Sequence, residues 1–222
     1  MKLVEVFKSI QGEGTRSGVI SSFIRFPGCN LRCHWCDTEY SYDVENAKDY
    51  SLKEIVDILN SHQTSHLCIT GGEPLLNESS LMSLIEYLED KTQIKDIVIE
   101  TNGACDISQL CVFRRKSKKN ISIVMDYKLS TSGMTKKMIL SNFSLLDEID
   151  EIKMVVGSQE DFFEATEILK KHHKKGQIVF SPVSELFNVQ ELAELLLECT
   201  EFPCRLSLQL HKYIWPEEER GR

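Results

Sequence analysis

Cys29-Asn30-Leu31-Arg32-Cys33-His34-Trp35-Cys36-Asp37-Thr38 places three thiols within eight residues, spaced Cys-x3-Cys-x2-Cys. A loop this short turns three thiolates toward one point, which is what a metal ion or an iron–sulfur cluster requires. A closed structural site takes four protein ligands, whereas three leave a position open for chemistry. The flanks look like a frame for such a loop. Upstream, residues 19–26 are rich in β-branched and aromatic side chains and read as a strand, closed by Pro27-Gly28 just before Cys29. Downstream, Leu67-Cys68-Ile69-Thr70 is a short strand that ends at Gly71-Gly72-Glu73-Pro74.

The same alternation of elements continues outward. Residues 3–7 read as a first strand running into Ser9-Ile10-Gln11-Gly12-Glu13-Gly14, a turn with a carboxylate between two glycines. Ser51-Leu52-Lys53-Glu54 has the form of a helix capping box. Residues 76–88 and 187–197, and a longer pattern through Phe162, Ala165, Ile168 and Leu169, are helical. Further strands are expected over 97–100, 121–125, 149–156, 177–180 and 205–210, the last with Gln209 and His211 at its exit. Strands separated by helices of this length indicate an α/β fold with β-α units and a parallel sheet. About six such units fall short of the eight that close a barrel, so an open or partial β/α barrel is expected. It would occupy residues 1–222 as a single domain. Polar residues cluster just after the strands, at Cys29 to Thr38, Gly71 to Glu73, Glu100 to Asn102, Asp126 to Lys128 and His211. In parallel β/α folds the carboxyl ends of strands form the site, so these exits point to one shared cavity.

The net charge of −8 argues against broad electrostatic binding to nucleic acid or anionic membrane. No apolar run approaches the length of a membrane span, and the alternating N-terminus lacks the apolar core of a signal peptide. Of the eight cysteines, Cys68, Cys105, Cys111, Cys199 and Cys204 are scattered without regular spacing. They read as reduced structural thiols, and the compartment as cytoplasmic. Two basic runs, Arg114-Arg115-Lys116-Ser117-Lys118-Lys119 and Lys170-Lys171-His172-His173-Lys174-Lys175, are expected to be solvated faces. The second would oppose a helix dipole. The chain ends in an acidic run, Trp215 to Arg222.

From spacing alone the cysteine loop admits a zinc site, with His34 as a fourth ligand, and a 4Fe–4S cluster with one iron free. The pairing of Cys29-x3-Cys33-x-Trp35-Cys36 with Gly71-Gly72-Glu73-Pro74 at a strand exit resembles the radical S-adenosylmethionine enzymes. The resemblance implies that Cys29, Cys33 and Cys36 hold a 4Fe–4S cluster. It also implies that Trp35 packs by the adenine of S-adenosylmethionine and that Gly71, Gly72 and Glu73 meet its amino group. Glycines there let backbone approach a ligand, and Glu73 would accept from an ammonium. Glu100, Asn102 and Lys128 are candidates for further cofactor contacts, against the alternative of local capping and pairing. The chemistry implied is one-electron cleavage of the sulfonium to a 5′-deoxyadenosyl radical.

The flanks narrow the family. Phe7-Lys8-Ser9-Ile10-Gln11-Gly12-Glu13-Gly14, Phe23-Ile24-Arg25-Phe26-Pro27-Gly28, Cys36-Asp37-Thr38, Glu100-Thr101-Asn102-Gly103, Asp126-Tyr127-Lys128 and Gln209-Leu210-His211-Lys212 resemble the 7-carboxy-7-deazaguanine synthases. That family carries out a carbon–nitrogen lyase reaction. It rearranges 6-carboxy-5,6,7,8-tetrahydropterin with loss of ammonia, on the route to queuosine. A carboxylate suits the adjacent N–H donors of a guanine-like pterin edge, so Glu13 is its candidate reader, with Ile10, Gln11 and Gly12 alongside. Arg25 offers a planar fork to the substrate carboxylate, unless it pairs with Glu13 or Asp37 instead. The resemblance also implies Mg²⁺ at Thr38, His211 against the substrate, a homodimer, and an electron donor such as flavodoxin or ferredoxin. Two rivals stand beside it: a glycyl-radical-activating enzyme that acts on a partner protein, and a zinc-bound structural module.

Overall fold

The computed structural model describes residues 1–45, 47–215 and 221, so the acidic run after Trp215 lies, Gly221 apart, outside the described residues. The strands are β1 Lys2–Leu3, β2 Glu5–Ile10, β3 Ile20–Phe26, β4 Lys48–Asp49, β5 His66–Gly71, β6 Asp96–Thr101, β7 Asn120–Lys128, β8 Glu151–Val156, β9 Gln177–Pro182 and β10 Cys204–Leu206. The α-helices are α1 Leu52–His62, α2 Glu78–Leu88, α3 Ser108–Arg114, α4 Gln159–His172, α5 Val189–Glu198 and α6 Leu210–Ile214. Strands β1 and β4 form a small antiparallel pair, and the other eight make one sheet in the order β10-β9-β8-β7-β6-β5-β3-β2. Strands β2 and β3 are antiparallel, and every other neighbouring pair is parallel. Among the described residues β2 and β10 end the sheet and do not pair with each other, so the barrel is open, as the number of β-α units implied.

Alternation along the strands divides the sheet into two faces. Ile97, Ile99, Ile121, Ile123, Met125, Ile152, Met154, Ile178 and Phe180 belong to one buried core shared with Leu59, Leu84, Leu110, Phe162 and Leu192 of the helices. The residues between them, including Glu100, Val124, Asp126, Lys153 and Val155, face a cavity on the other side. The helices begin where local chemistry dictates. Ser51 Oγ accepts from Glu54 N at 3.2 Å while Glu54 accepts from Ser51 N at 2.7 Å, a complete capping box for α1. Lys170, Lys171 and His172 sit in the last turn of α4, where cations oppose the dipole.

Several expectations change. The first strand breaks at Val4 and then runs through Ile10, because β2 pairs with β3 as far as Ile10 opposite Ile20. The last strand stops at Leu206. Ser207 N still donates to Phe180 O at 2.8 Å, but Leu210 N donates to Gly12 O at 3.0 Å, which pulls the chain off the sheet. Gln209 therefore precedes a short helix and His211 lies within it, not at a strand exit. The first basic run is not a solvated face throughout. Arg114 is buried and holds Asp150 at 2.6 Å and Asp147 at 3.1 Å, while Lys119 donates to Ile94 O at 2.6 Å. Among the described residues no helix is long and apolar enough to cross a membrane.

Candidate active site

The strand exits open into a cavity of about 950 Å³. Its lining includes Cys29, Cys33, Cys36, Trp35 and Thr38 together with Ile10, Gln11, Gly12, Glu13, Arg25 and His211. Residues from both motif groups thus face one space, which their separation in sequence left open.

Three strand exits clamp the cysteine loop. From β5, Gly72 N donates to Phe26 O at 3.0 Å and Glu73 N to Gly28 O at 2.8 Å. From β6, Asn102 Nδ2 donates to Asn30 Oδ1 at 2.8 Å. After β7, Ser132 O accepts from His34 N at 3.2 Å. Within the loop, Arg32 donates to the carbonyls of Cys29 and Leu31 at 2.9 and 2.6 Å and lies 4.1 Å over the Tyr42 ring. These contacts explain how so short a polar loop keeps a defined shape.

The three free thiols of the loop suit a cluster. Among the described residues no three His, Cys, Asp or Glu side chains are placed as a single-ion site. An iron–sulfur cube differs in taking each thiolate on its own iron. Leu31 N and Asn102 Nδ2 point at Cys29 Sγ from 3.4 and 3.6 Å, the kind of donors that support a ligated sulfur. Burial raises the Cys29 thiol and pushes Cys33 up to about 11; Asp126, Cys36 and Cys29 add to the rise at Cys33 and Lys128 opposes it. Loading metal onto these two thiols must therefore expel protons. Thr38, beside the exposed Asp37, lines the same cavity, and its hydroxyl is of the oxygen type that a hard cation takes.

Of the residues expected near S-adenosylmethionine, Trp35, Gly71, Gly72, Glu100, Asn102 and Lys128 line the cavity and Glu73 does not. Glu73 is 1% exposed, and its carboxyl accepts from Leu75 N at 3.0 Å, Thr101 Oγ1 at 2.9 Å and Asn102 N at 2.7 Å. Burial pushes it up to about 7 against those donors. It is a brace that fixes the β6 exit, not the free acceptor expected. Lys128 Nζ stands 4.8 Å from the Trp35 ring and 2.7 Å from Asp126. The Trp35 Nε1 donor is buried and has no hydrogen-bond partner among the described residues.

Among the residues expected near the substrate, Gln11 Nε2 donates to Glu100 Oε1 at 3.0 Å, and a Cβ at Gly12 would strike the His211 ring. Arg25 pairs with neither Glu13 nor Asp37. Its Nε donates to Glu5 at 2.7 Å, and its guanidinium lies within 6 Å of the Phe7 and Tyr40 rings, at 5.8 and 5.6 Å. Glu13 instead meets Lys153 at 2.6 Å and Gln209 at 2.7 Å. Burial alone would raise the Glu13 carboxyl; Lys153, Gln209 and His211 together outweigh it and hold it at about 2.

Sequence reading singled out neither Lys153 nor Thr70 and gave Asp126 a strand exit but no role; all three face this cavity. The register sets Asp126 beside Lys153 and Arg25 beside Thr70. A signal for Lys153 was present: a lysine inside the apolar run Ile152-Lys153-Met154-Val155-Val156, in a strand buried on both faces, demands a charged partner.

Residues 10–149 match the family model described as a 4Fe-4S single cluster domain. The chain is 37% identical to the 7-carboxy-7-deazaguanine synthase of Clostridium acetobutylicum, over 99% of this chain and 98% of that protein. It is 36% identical to that of Methanospirillum hungatei, over 96% and 85% of the two chains. The crystal structure of QueE from Escherichia coli superposes with a TM-score of 0.72 at 23% identity, over 94% and 93%, and shares this fold. With near full-length likeness at these levels, the chain belongs to the 7-carboxy-7-deazaguanine synthase family of radical S-adenosylmethionine enzymes.

Proposed function

We propose that the protein is a carbon–nitrogen lyase that converts 6-carboxy-5,6,7,8-tetrahydropterin to 7-carboxy-7-deazaguanine and ammonia, a step toward queuosine. The observation that carries this reading, within the family, is the opening of the cysteine loop and the Glu13–Arg25 wall into one cavity. The whole chain serves as one domain for this work. When bound at Cys29, Cys33 and Cys36, the cluster together with S-adenosylmethionine supplies the one-electron chemistry that removes a hydrogen atom from substrate. The protein's own task is to place the substrate and keep water out.

Glu13, already ionised, accepts from the N–H edge of the pterin, with Gln11 and the Gly12 backbone beside it. Arg25, whose Nε is held by Glu5, keeps its terminal nitrogens for the substrate carboxylate. Gln209 ties Glu13 to Asp37 through contacts of 2.7 and 3.3 Å, so the substrate reader and the Thr38 region move as one. Thr38 would hold Mg²⁺, with substrate oxygens and water filling its remaining positions. Trp35 and Lys128 would seat the adenine, and the backbone of Gly71 and Gly72 the methionyl group. The reading further includes a homodimer, reduction by a flavodoxin or ferredoxin, and a cytoplasmic setting.

The test is turnover of the carboxypterin by anaerobically reconstituted protein, with and without Mg²⁺. About four irons per chain and ammonia release matched to product are the expected results. Zinc near one equivalent without charge-transfer absorption, or full activity of the Glu13→Ala and Arg25→Ala variants toward a partner protein, would overturn the reading.

A further inference from the structure

Lys153 crosses the cavity floor from the middle of β8 and is only 12% exposed. Its Nζ contacts Glu13 Oε2 at 2.6 Å and Asp126 Oδ2 at 3.5 Å, and the same Asp126 oxygen takes Lys128 at 2.7 Å. Lys128 in turn stands against Trp35. An unbroken line of charge therefore runs Glu13–Lys153–Asp126–Lys128, from the wall facing the substrate to the wall facing the adenine. Among the described residues Lys153 is the one cation in salt-bridge contact with Glu13; Gln209, its other close partner, is neutral. Lys153 lies on the cavity face of the strand, opposite the core residues Ile152 and Met154, so its ammonium takes its partners from the cavity wall.

What Lys153 changes is the chemistry Glu13 can offer. A neutral carboxylic acid donates as well as accepts, whereas a carboxylate only accepts. Burial favours the neutral form, and a contacting ammonium favours the charged one. With Lys153 in place the Glu13 edge reads N–H donors and repels carbonyl oxygens.

We infer that Lys153 is the positioning residue that fixes Glu13 as an acceptor-only contact, and so selects 2-amino-4-oxo heterocycles over their 2,4-dioxo counterparts. This rests on the pterin reading proposed above. A carbonyl oxygen facing the Glu13 carboxylate would leave two desolvated acceptors opposed. Sites that pair with a substrate N–H discriminate strongly against analogues lacking it for this reason. Lys153 acts through Glu13 and need not touch the reacting atoms.

The experiment compares wild type, Lys153→Met, Lys153→Gln and Lys153→Arg as reconstituted holoenzyme with S-adenosylmethionine. Equilibrium dialysis gives the Kd of the carboxypterin and of its 2,4-dioxo (lumazine) analogue, and steady-state assays give kcat and KM. The expected result is that Lys153→Met and Lys153→Gln raise the carboxypterin Kd and KM by about 10- to 100-fold, the scale of one charge-assisted contact. The ratio of the two Kd values shrinks, kcat falls much less, and Lys153→Arg recovers most of the discrimination. Iron content and melting temperature separate these effects from misfolding. The glutamine variant, which keeps a donor without the charge, decides the matter where the methionine variant folds poorly. An unchanged Kd ratio in the neutral variants, or a loss of kcat with KM and ratio intact, overturns the inference while leaving the proposed function standing. A wild-type protein that binds neither heterocycle overturns both.

Discussion

Replacing Gly72 with alanine should part the β5 exit from the cysteine loop. A Cβ built there lies 2.5 Å from the Gly28 carbonyl carbon and 3.1 Å from Cys29 N, and closer still to the Gly28 oxygen. These are backbone atoms, so no side chain can swing aside. Carbon atoms pack comfortably at about 3.5 to 4.0 Å, so the β5 exit and the Gly28–Cys29 peptide must part by about 1 Å or more. The bonds from Gly72 N to Phe26 O at 3.0 Å and from Glu73 N to Gly28 O at 2.8 Å would then stretch past useful length. Two backbone bonds at about 1 kcal/mol each, added to an overpacking cost of about 1–3 kcal/mol, give a loss of about 3–5 kcal/mol. Cys29 moves with the displaced peptide. The assay is denaturant unfolding of metal-free protein, together with iron and sulfide per chain after anaerobic reconstitution. Gly72→Ala should lose most of its cluster. Gly18→Ala is the control, with a φ of +90° but nothing within 4 Å of its Cβ. It should cost about 1–2 kcal/mol of strain and load iron normally. A Gly72→Ala protein with wild-type stability and full cluster would refute the argument that this glycine marks a backbone contact.

Two further predictions concern charge. Asp150, fully buried, accepts from Arg114 Nη1, Ile123 N and Asp147 N at 2.6, 2.8 and 2.7 Å, so Asp150→Ala should cost about 3–5 kcal/mol and lower Tm by on the order of 10 °C. Lys118→Ala removes only the exposed pair with Asp90 and should leave Tm unchanged; calorimetry on both variants checks the contrast. Glu13 is held at about 2, below its ordinary value of 4.5, so its contribution to stability is full above pH 4.5 and lost as pH falls through about 2. Glu13→Gln should therefore be less stable than wild type at neutral pH, with the gap narrowing in strong acid. Denaturant midpoints of the metal-free proteins measured across that range would expose a gap that does not narrow.

What was legible in the chain was mostly local. The cysteine spacing, the Ser51–Glu54 capping box and the strand–Gly-Gly-Glu-Pro junction each involve residues a few positions apart, where backbone geometry leaves few options. Glu73 shows the limit of motif reading. Its place just after a strand exit was legible, but whether its carboxyl stays free depended on Thr101 and Asn102, which fold against it from the next strand. Arg25 was expected at the substrate carboxylate, with Glu13 or Asp37 as the alternative partners; its protein partner is Glu5, directly opposite it on the antiparallel neighbour.

By itself the sequence determined the class of chemistry, the open parallel architecture and which strand exits carry polar groups, because periodicity and short spacing are properties of neighbouring residues. Only the tertiary structure decided how the cavity is charged. Lys153 reaches Glu13 across 140 positions and Gln209 reaches it across 196. Such pairs arise when the sheet brings distant strands and the returning α6 segment to one face. Once there, burial forces each charge to find a partner, and no pattern in either segment alone says which partner that will be.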